Sequence, residues 1–507
     1  MDADVIVVGA GPAGLMLAAE LRLHGVRPLL VEQLAEPSAE PRARGIGPLA
    51  AEALRRRGLD EPLRAHQPRG LSDRRRDHGS EKGHFAWIHK IDQQLQEEPD
   101  RAGALIWQPD LERVLADHAE ALGVRAHREH VVTGVEQSAD RVTVTCRTPA
   151  GERRLASAYV IGCDGGRSAV RKLTGFAFPG TEPLMVARRA RADVVCPAGL
   201  PPTGRTPTGT LFHAPGMVGT FDFEDVRTDT RAPVTAQELE ASLRRVAGAE
   251  VEVTAVHQAM RFTDQARLVP SYRSGRVLLA GDSAHVHSPN GGQGLTLGLL
   301  DAANLGWKLA ATLRGTAPEG LLDTYTAERR PVAEATLHNT RAQSALMRPG
   351  PHTDALRDIV SDLMDIPEVN RYFGRLLSGL DTRYALPHAG PDAHRLTGAH
   401  CPDLNLRPAA SDGTAATTLA RLAEQGGPVL VHTGQPQVER AARPWHGVLR
   451  TARVAAIEYD DLSALLVRPD GVIAWAAGTD GPADADGLER ALRAWFVPSD
   501  RQEAVAR

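Results

Sequence analysis

The chain has 507 residues and a formal net charge of -4, with 42% hydrophobic and 24% charged residues. This length allows two or three domains, each with its own core, and the composition is that of an ordinary globular protein. The charge argues against a general nucleic-acid binder, which usually carries a basic excess, and no apolar run reaches the roughly 18 residues of a membrane span.

The N-terminus and the cysteines predict a cytoplasmic protein. The first residues run directly into a strand, without the basic start or the small-residue cleavage site of a signal peptide. The four cysteines are scattered, with no CxxC pair and no spacing typical of metal ligands. We therefore expect reduced thiols that behave as small apolar side chains, with no disulfide and no metal site.

The first elements in the chain form a βαβ unit. A β-branched run at 5–8 predicts a buried parallel strand, a helix follows over 15–23, and 28–31 predict a second strand. The link between the first strand and the helix matches GxGxxG and reads Gly9-Ala10-Gly11-Pro12-Ala13-Gly14. Such glycines permit a tight turn, the approach of a pyrophosphate and close packing of helix on strand. Glu32 stands where an acid binds a free ribose 2′-hydroxyl, which favours FAD or NAD.

The next segments alternate between helix and strand. Helices are predicted at 47–58 and 109–122, an exposed polar loop at 66–84, and strands through 124–161. The arginine runs at 55–57 and 74–76 are interpreted as solvated faces. An apolar strand then ends at Cys163-Asp164-Gly165-Gly166. The carboxylate of Asp164 could lie beside a nucleotide or could cap the following helix, and both interpretations stay open.

Residues 180–262 have a different texture, with Pro and Gly clusters, alternating segments and one helix near 236–247, which predicts an inserted sheet domain. A strand–turn–helix pattern returns over 276–312. Its strand ends at Asp282, which could bind a ribityl hydroxyl, and a glycine loop then opens a helix whose N–H groups could stabilise a reduced flavin. His285 and His287 have no visible acidic partner and are interpreted as non-catalytic.

Taken in order, GAGPAG with Glu32, CDGGRSAVRK and AGDSAH…PNGGQG resemble the motifs of the flavin-dependent group A aromatic hydroxylases, the p-hydroxybenzoate hydroxylase superfamily. Within that family the chain is similar to the aromatic polyketide hydroxylases and the rifampicin monooxygenases. The resemblance implies an α/β fold with a Rossmann-like FAD-binding domain over 1–178 and 263–394, an inserted β-sheet substrate domain over 179–262, and a C-terminal thioredoxin-like domain over 395–507. Cys401 stands alone in the last domain, so disulfide exchange is not expected there.

The resemblance also implies contacts between individual residues and the cofactor. Glu32 would bind the adenosine ribose, Asp282 the ribityl chain or pyrophosphate, and Asp164 would lie between FAD and the nicotinamide. Gly294 and Leu295 would donate backbone N–H groups to the isoalloxazine. The remaining contacts with FAD would come from Arg44, Gln108 and Pro289. Many relatives carry Asn where this chain has Thr296, which puts a side-chain contact with the flavin in doubt.

The activity implied is that of a monooxygenase with non-covalent FAD, NADPH or NADH as transient co-substrate, and O2. It would hydroxylate a multi-ring aromatic compound, polyketide or ansamycin-like, through a C4a-hydroperoxyflavin. Baeyer–Villiger insertion on a polyketide by a peroxyflavin is the alternative, and a non-catalytic flavin protein is a third. No acid–base set is recognisable in the sequence, so no catalytic side chain is assigned.

The substrate is expected between the flavin and the inserted sheet, and for the aromatic candidates packing in the core is an equal alternative. The candidates are Phe85, Trp87, Phe212, Phe221 and Phe223, with Pro289 on the flavin side. We expect a monomer or homodimer that binds neither nucleic acid nor membrane.

Overall fold

Strands and helices alternate from the first residues of the chain, in a computed structural model that describes residues 1–40, 42–67, 82–226, 232–408, 417–459 and 461–498. Among these residues, no helix is both long enough and apolar enough to cross a membrane. The strands, numbered in chain order, are β1 Val5–Val8, β2 Pro28–Val31, β3 Gly83–Phe85, β4 Ile88–Ile91, β5 Ala126–His127, β6 Val131–Gln137, β7 Val142–Thr148, β8 Gly151–Ser157, β9 Tyr159–Gly162, β10 Gly180–Thr181, β11 Val186–Val195, β12 Gly204–Thr206, β13 Gly209–Ala214, β14 Met217–Asp222, β15 Glu252–Thr263, β16 Ala266–Leu268, β17 Arg273–Ser274, β18 Val277–Leu279, β19 His285–Val286, β20 Asn405–Pro408, β21 Thr417–Thr418, β22 Val429–His432, β23 Arg450–Ile457, β24 Leu462–Val467 and β25 Ile473–Gly478.

The helices lie between these strands. The α-helices are α1 Pro12–Leu23, α2 Pro48–Arg55, α3 Asp60–Ala65, α4 Gln108–Ala121, α5 Ala169–Leu173, α6 Ala236–Ala247, α7 Gly294–Leu313, α8 Thr324–Met347, α9 Pro351–Leu363, α10 Pro367–Ser378, α11 Leu419–Ala423, α12 Pro436–Ala442 and α13 Ala485–Trp495. Short 3-10 turns occupy Gln93–Leu95, Gly281–Ser283, Leu321–Asp323 and Arg443–Trp445.

A mostly parallel sheet forms the first layer, in the strand order β17-β18-β9-β1-β2-β5. The strand β1 pairs in parallel with β2 and β9, and all four of its residues are buried. A continuous β-branched run suits such a strand because both of its faces are buried. The carboxyl ends of β1, β2, β9 and β18 lie at one edge, where ligands bind in open α/β sheets.

The five-stranded antiparallel sheet β12-β13-β14-β11-β15 is the predicted inserted sheet. Helix α6 covers one of its faces through Leu239, Leu243 and Val246, which are buried in one apolar cluster with residues of the sheet. Thr235 caps this helix by accepting a hydrogen bond from the N–H of Glu238, and Gly248 ends it at a φ of 62°. The helix predicted near 236–247 therefore has the expected bounds.

The C-terminal residues form a mixed sheet in the order β21-β20-β23-β22-β24-β25. Its strands β22 and β23 are parallel, and β24 and β25 continue it antiparallel. Helices α12 and α13 pack on this sheet with Trp445 and Trp495 in the core between them. This is the predicted thioredoxin-like arrangement, so the α/β fold class is confirmed in each of its three parts.

The interpretation of residues 55–57 as a solvated face is wrong for two of the three arginines. Arg56 is 3% exposed and Arg57 8%. Arg57 donates to both carboxylate oxygens of Glu20, at 2.6 and 2.8 Å, and to the carbonyl of Pro469 at 3.0 Å. Arg56 lies 3.3 Å from the carbonyl oxygen of Cys401. These arginines therefore join the C-terminal domain to the FAD-binding part. The second run, 74–76, lies outside the described residues.

A buried group of charged side chains lies at the same interface between the C-terminal domain and the FAD-binding part. The guanidinium of Arg468 donates to both oxygens of Glu328 at 2.7 Å and to Asp470 at 2.5 and 3.1 Å. Lys308 also donates to Glu328, at 2.7 Å. Burial opposes ionisation of Glu328, but the neighbouring Arg468 and Lys308 hold its pKa well below the ordinary value. The four charges therefore form a compensated cluster between α7, α8 and the last sheet.

Candidate functional site

The first glycine turn has three distinct steric requirements. Gly9 has a φ of 104°, and a Cβ there would lie 2.5 Å from the carbonyl oxygen of Cys163. A Cβ on Gly14 would lie 1.9 Å from the carbonyl oxygen of Gly9, whereas one on Gly11 would meet nothing within 4 Å. Gly9 and Gly14 are therefore required by the protein itself. Gly11 leaves open space at the start of α1, where no side chain caps the helix, and such a helix start suits a phosphate.

Glu32 lies directly beside this turn. Its Oε2 accepts the N–H of Ala10 at 2.8 Å, and its Oε1 accepts the N–H of Leu34 at 2.9 Å. The carboxylate thus fixes the shape of the glycine turn. Each oxygen has further lone pairs that a ribose hydroxyl can use.

Asp164 uses both carboxylate oxygens within the protein. Its Oδ2 accepts the N–H groups of Ala169 and Val170 at 2.6 and 3.1 Å, at the start of α5. Its Oδ1 accepts the hydroxyls of Ser168 and Ser283 at 2.5 and 3.0 Å. Of the two open interpretations, this geometry supports the helix cap, with a link to the segment after β18. Contact with a nucleotide stays a prediction for Asp164.

The turn at Gly281 and Asp282 lies against the start of helix α1. The Cβ position of Gly281 is 3.3 Å from the Cβ of Ala13, and that of Gly298 is 3.3 Å from the Cα of Gly281. Helix α1, the turn before Asp282 and helix α7 therefore meet at one point. The side chain of Asp282 is exposed there, and no hydrogen bond to it is found among the described residues.

Helix α7 begins at Gly294, and the side chain of the preceding Gln293 does not cap it. The N–H groups of the first turn of a helix have no partner within the helix, so those of Gly294 and Leu295 are available to an electron-rich ligand edge. The Oγ1 of Thr296 accepts the N–H of Gly47 at 2.7 Å. The residue that departs from the family pattern therefore holds the start of α2.

The other predicted contacts with FAD come from Gln108, Arg44 and Pro289. The N–H of Gln108 donates to the carbonyl of Ala43 at 3.0 Å, which places α4 beside the segment that carries Arg44. The Gln108 side chain donates to Glu112 at 2.8 Å. Arg44 and Pro289 are exposed. Their contacts with a cofactor stay predictions.

The expectation that His285 lacks an acidic partner is wrong. Its Nε2 lies 2.8 Å from Oδ2 of Asp301, and both side chains are fully buried. Arg329 donates to the other oxygen of Asp301 at 2.7 Å. Sixteen residues and a glycine loop separate His285 from Asp301 in the sequence, so only the fold reveals the pair. It is enclosed below the start of α7 and holds that helix in place.

His287 is a different case. Its Nδ1 lies 2.7 Å from the carbonyl oxygen of Ser288, so Nδ1 donates and Nε2 is left as an acceptor. That Nε2 is buried, and no partner for it is found among the described residues. A Cβ on Gly294 would lie 3.4 Å from Nε2. Burial lowers the pKa of His287 to about 4, so the ring is neutral at neutral pH.

Four of the predicted substrate aromatics lie in one apolar cluster, and one does not. Phe85 is buried in the cluster, and Trp87, Phe221 and Phe223 pack against it half-buried. The rings of Trp87 and Phe221 meet edge to face, with centroids 6.1 Å apart. Phe212 lies in β13 opposite Gly219, outside this cluster. Contact of any of these side chains with a substrate stays a prediction.

The donor set suits a dinucleotide. Two helix starts, an acid beside the glycine turn and an exposed acid after β18 lie at the carboxyl edge of a parallel sheet, which is the arrangement that holds phosphate and ribose groups. Within the described ranges, no group of three or more His, Cys, Asp or Glu side chains is placed to hold a metal ion.

Comparison with known proteins places the chain in a family. An FAD binding domain model matches residues 2–340, and an aromatic-ring hydroxylase C-terminal model matches residues 394–499. A 12-dehydrotetracycline 5-monooxygenase/anhydrotetracycline 6-monooxygenase of Streptomyces rimosus is 41% identical over 98% of this chain and 99% of its own. A rifampicin monooxygenase of Streptomyces venezuelae is 38% identical over 97% and 98%.

A solved structure is also similar. The anhydrotetracycline hydroxylase from Streptomyces rimosus has 40% sequence identity and a TM-score of 0.86, with 98% of this chain and 100% of that chain covered. The motifs, the fold and these matches agree. The chain therefore belongs to the FAD-dependent aromatic-ring hydroxylases, and it is an FAD-dependent monooxygenase.

Proposed function

We propose that this monooxygenase hydroxylates a polycyclic aromatic compound of the polyketide or ansamycin class, with NADPH or NADH as reductant and O2 as co-substrate. The observation that carries the proposal is the meeting of α1, the turn before Asp282 and helix α7 at the carboxyl edge of the parallel sheet. Relatives named for tetracycline intermediates and rifampicin, matched over nearly the full chain, support the substrate class.

Each of these elements has a proposed role in binding FAD. The open start of α1 would face the pyrophosphate, with Glu32 on the adenosine ribose and Asp282 on the ribityl chain or pyrophosphate. The N–H groups of Gly294 and Leu295 would point at the edge of the flavin ring where negative charge develops on reduction. Bound FAD would supply electron transfer from the nicotinamide and the activation of O2.

The chain's own share of the reaction is to orient the substrate and to exclude water. Trp87 and Phe221 present an apolar, edge-to-face wall between the hairpin β3–β4 and the inserted sheet. Phe85 anchors that wall by packing on Phe373, with ring centroids 4.5 Å apart. An apolar wall positions a flat ring system and keeps water from the reacting centre.

The function is tested by NADPH consumption of the FAD-loaded protein with anhydrotetracycline, rifampicin, simple naphthols and the one-ring 4-hydroxybenzoate. We expect a multi-ring compound to raise NADPH oxidation with formation of a product that has gained one oxygen atom. Poor mimics should give hydrogen peroxide instead. NMR of the product distinguishes a new hydroxyl from a lactone, which would indicate Baeyer–Villiger insertion. Failure of every multi-ring compound to raise NADPH oxidation in FAD-loaded protein would contradict the proposal.

We also expect no side chain to be an indispensable acid or base for oxygen transfer. His287 lies beside the start of α7, since a Cβ on Gly294 would be 3.4 Å from its Nε2. Its pKa of about 4 leaves the ring neutral at neutral pH, without an acidic proton to give up. His287→Gln keeps a donor for the Ser288 carbonyl. The rate of product formation when the reduced protein reacts with O2 should stay within about tenfold of wild type, whereas a dedicated acid or base would contribute about a hundred- to ten-thousandfold to that rate. Rapid-quench product analysis of FAD-loaded protein measures this, and a loss near a thousandfold would contradict the expectation.

A further inference from the structure

The turn that carries Trp87 is strained. Ala86 and Trp87 form the two-residue link between β3 and β4, with φ angles of 49° and 64°. Two-residue hairpin turns with positive φ normally use Asn and Gly. A non-glycine residue in this region persists only where its surroundings hold it, and such strain gathers at functional sites.

Two side chains of the helical region hold this turn. The Oε1 of Gln343 accepts the N–H of Ala86 at 3.2 Å. The Nη1 of Arg357 donates to the carbonyl of Ala86 at 2.7 Å. The strained peptide is therefore bonded on both sides, and Trp87 is presented to Phe221 as a consequence.

Gln343 continues inward through a chain of amides. Its Nε2 donates to Oδ1 of Asn339 at 3.2 Å, and Nδ2 of Asn339 donates to Oε1 of Gln293 at 2.7 Å. Nε2 of Gln293 donates in turn to the carbonyls of Leu376 and Leu377 at 3.0 and 3.2 Å. The two ends fix the direction, because a backbone N–H can only donate and a carbonyl can only accept. Every amide in the chain therefore has one orientation.

This amide chain reaches the loop at the start of α7. Gln293 directly precedes Gly294, and a Cβ on Gly291 would lie 3.0 Å from Nε2 of Gln343. Gln343 is 0% exposed and Asn339 3%. Gln293, at the loop end, is half-buried. Buried amides of fixed orientation transmit a displacement, because water does not easily reach them to replace a lost partner.

From this arrangement we propose that Gln343 is a positioning residue that couples the Trp87 turn to the loop 291–295. The inference rests on the proposed function of that loop in holding the flavin ring. A ligand that moves Trp87 also moves Ala86 and so displaces Gln343, which accepts the Ala86 N–H. Through Asn339 and Gln293 this displacement changes the position of the N–H groups at the start of α7. The position of the loop 291–295 thereby depends on whether a substrate contacts Trp87.

The test is a double-mutant cycle on substrate-free, FAD-loaded protein. The single changes are Trp87→Ala and Gln343→Met, and the readouts are the FAD dissociation constant and the visible absorption spectrum of the bound flavin. Coupling through such networks changes affinities by about three- to thirtyfold. We expect Trp87→Ala to change FAD affinity by about fivefold and to shift the spectrum in the wild-type background, but by less than about twofold in the Gln343→Met background.

The control is Thr340→Val, in the same helix, because Thr340 is equally buried. Among the described residues its hydroxyl bonds only to Leu337 of its own helix. Thr340→Val should leave the effect of Trp87→Ala unchanged. If Gln343→Met does not fold, Gln343→Glu at alkaline pH decides the matter, since the ionised carboxylate keeps the acceptor for Ala86 and cannot donate to Asn339. Additive effects, or no change of the flavin signals on Trp87→Ala in FAD-bound protein, would overturn the inference. A wild-type protein that binds no FAD would instead contradict the proposed function, and this inference with it.

Discussion

Arg468→Met is expected to destabilise the protein by about 3–5 kcal/mol, because it leaves two buried carboxylates without their main cation. Arg468 is fully buried and bonds to Glu328 and Asp470. Its guanidinium also lies 4.3 Å from the ring centroid of Trp495, so the change removes a cation–π contact as well. Chemical unfolding followed by tryptophan fluorescence measures the loss. Arg490→Met is the matched control, since that side chain is 57% exposed and should change stability little.

The same cluster predicts a pH dependence with a definite sign. The pKa values of Glu328 and Asp470 are lowered in the folded protein by Arg468, against the effect of burial. Groups with a lowered folded pKa contribute stability above their ordinary pKa and lose it as pH falls through the folded pKa. We expect the wild-type protein to lose this contribution only below about pH 4.5, the ordinary value for Glu. In Arg468→Met burial is no longer offset by that cation, so the folded pKa values rise and the loss of stability on acidification should shrink or reverse. Identical pH profiles for the two proteins would contradict the pairing.

Gly14→Ala is expected to lower the stability of the protein, whereas Gly11→Ala is expected to lower its affinity for FAD. A Cβ on Gly14 would lie 1.9 Å from a backbone oxygen, and backbone cannot move aside as a side chain can. We expect Gly14→Ala to lower the free energy of unfolding by about 3 kcal/mol or more. Gly11 has a φ of -76°, which alanine adopts, and a Cβ there meets open space. Gly11→Ala should therefore leave the stability of the FAD-free protein nearly unchanged.

The FAD affinity of Gly11→Ala should nevertheless fall, because the methyl group occupies the space that the pyrophosphate needs. We expect a loss of about a hundredfold, equivalent to roughly 2.7 kcal/mol. Thermal unfolding without FAD, and titration with FAD, measure the two effects separately. Unchanged FAD affinity in a folded Gly11→Ala protein would sink the assignment of this turn to the cofactor.

Local patterns in the sequence were sufficient to predict the bounds of several strands and helices. The strand at 5–8, the strand at 28–31 and the helix near 236–247 occur with the expected bounds, because a β-branched run and a capped amphipathic segment are each defined by their own residues. The glycine turn follows from the same local rule. The fold class and the family are confirmed for this reason.

Long-range pairing could not be inferred in this way. Residues 55–57 look like a charged surface in the sequence, yet Arg57 finds Glu20 far away in the chain and loses its exposure. His285 finds Asp301 only when α7 folds back over the turn. Both errors have one physical cause, since a charged residue is buried only where a distant partner compensates it. The positive φ of Trp87 could not be inferred from the sequence either, because the turn contains no Gly or Asn that would indicate it.

The arginines at the domain interface have a consequence for exchange of parts between proteins. Arg56 and Arg57 donate to main-chain carbonyls of Cys401, Ala423, Pro469 and Asp470, which any residue type supplies. At these two arginines a foreign C-terminal domain in a chimera should thus be accepted as long as its main chain follows the same course. The buried Glu328 still requires the side chain of Arg468. Gly471 marks the exception, since a Cβ there would lie 2.2 Å from the guanidinium carbon of Arg56. Along the contact with Arg56 and Arg57, a donor domain therefore needs glycine at that position and no particular side chain at the four carbonyls.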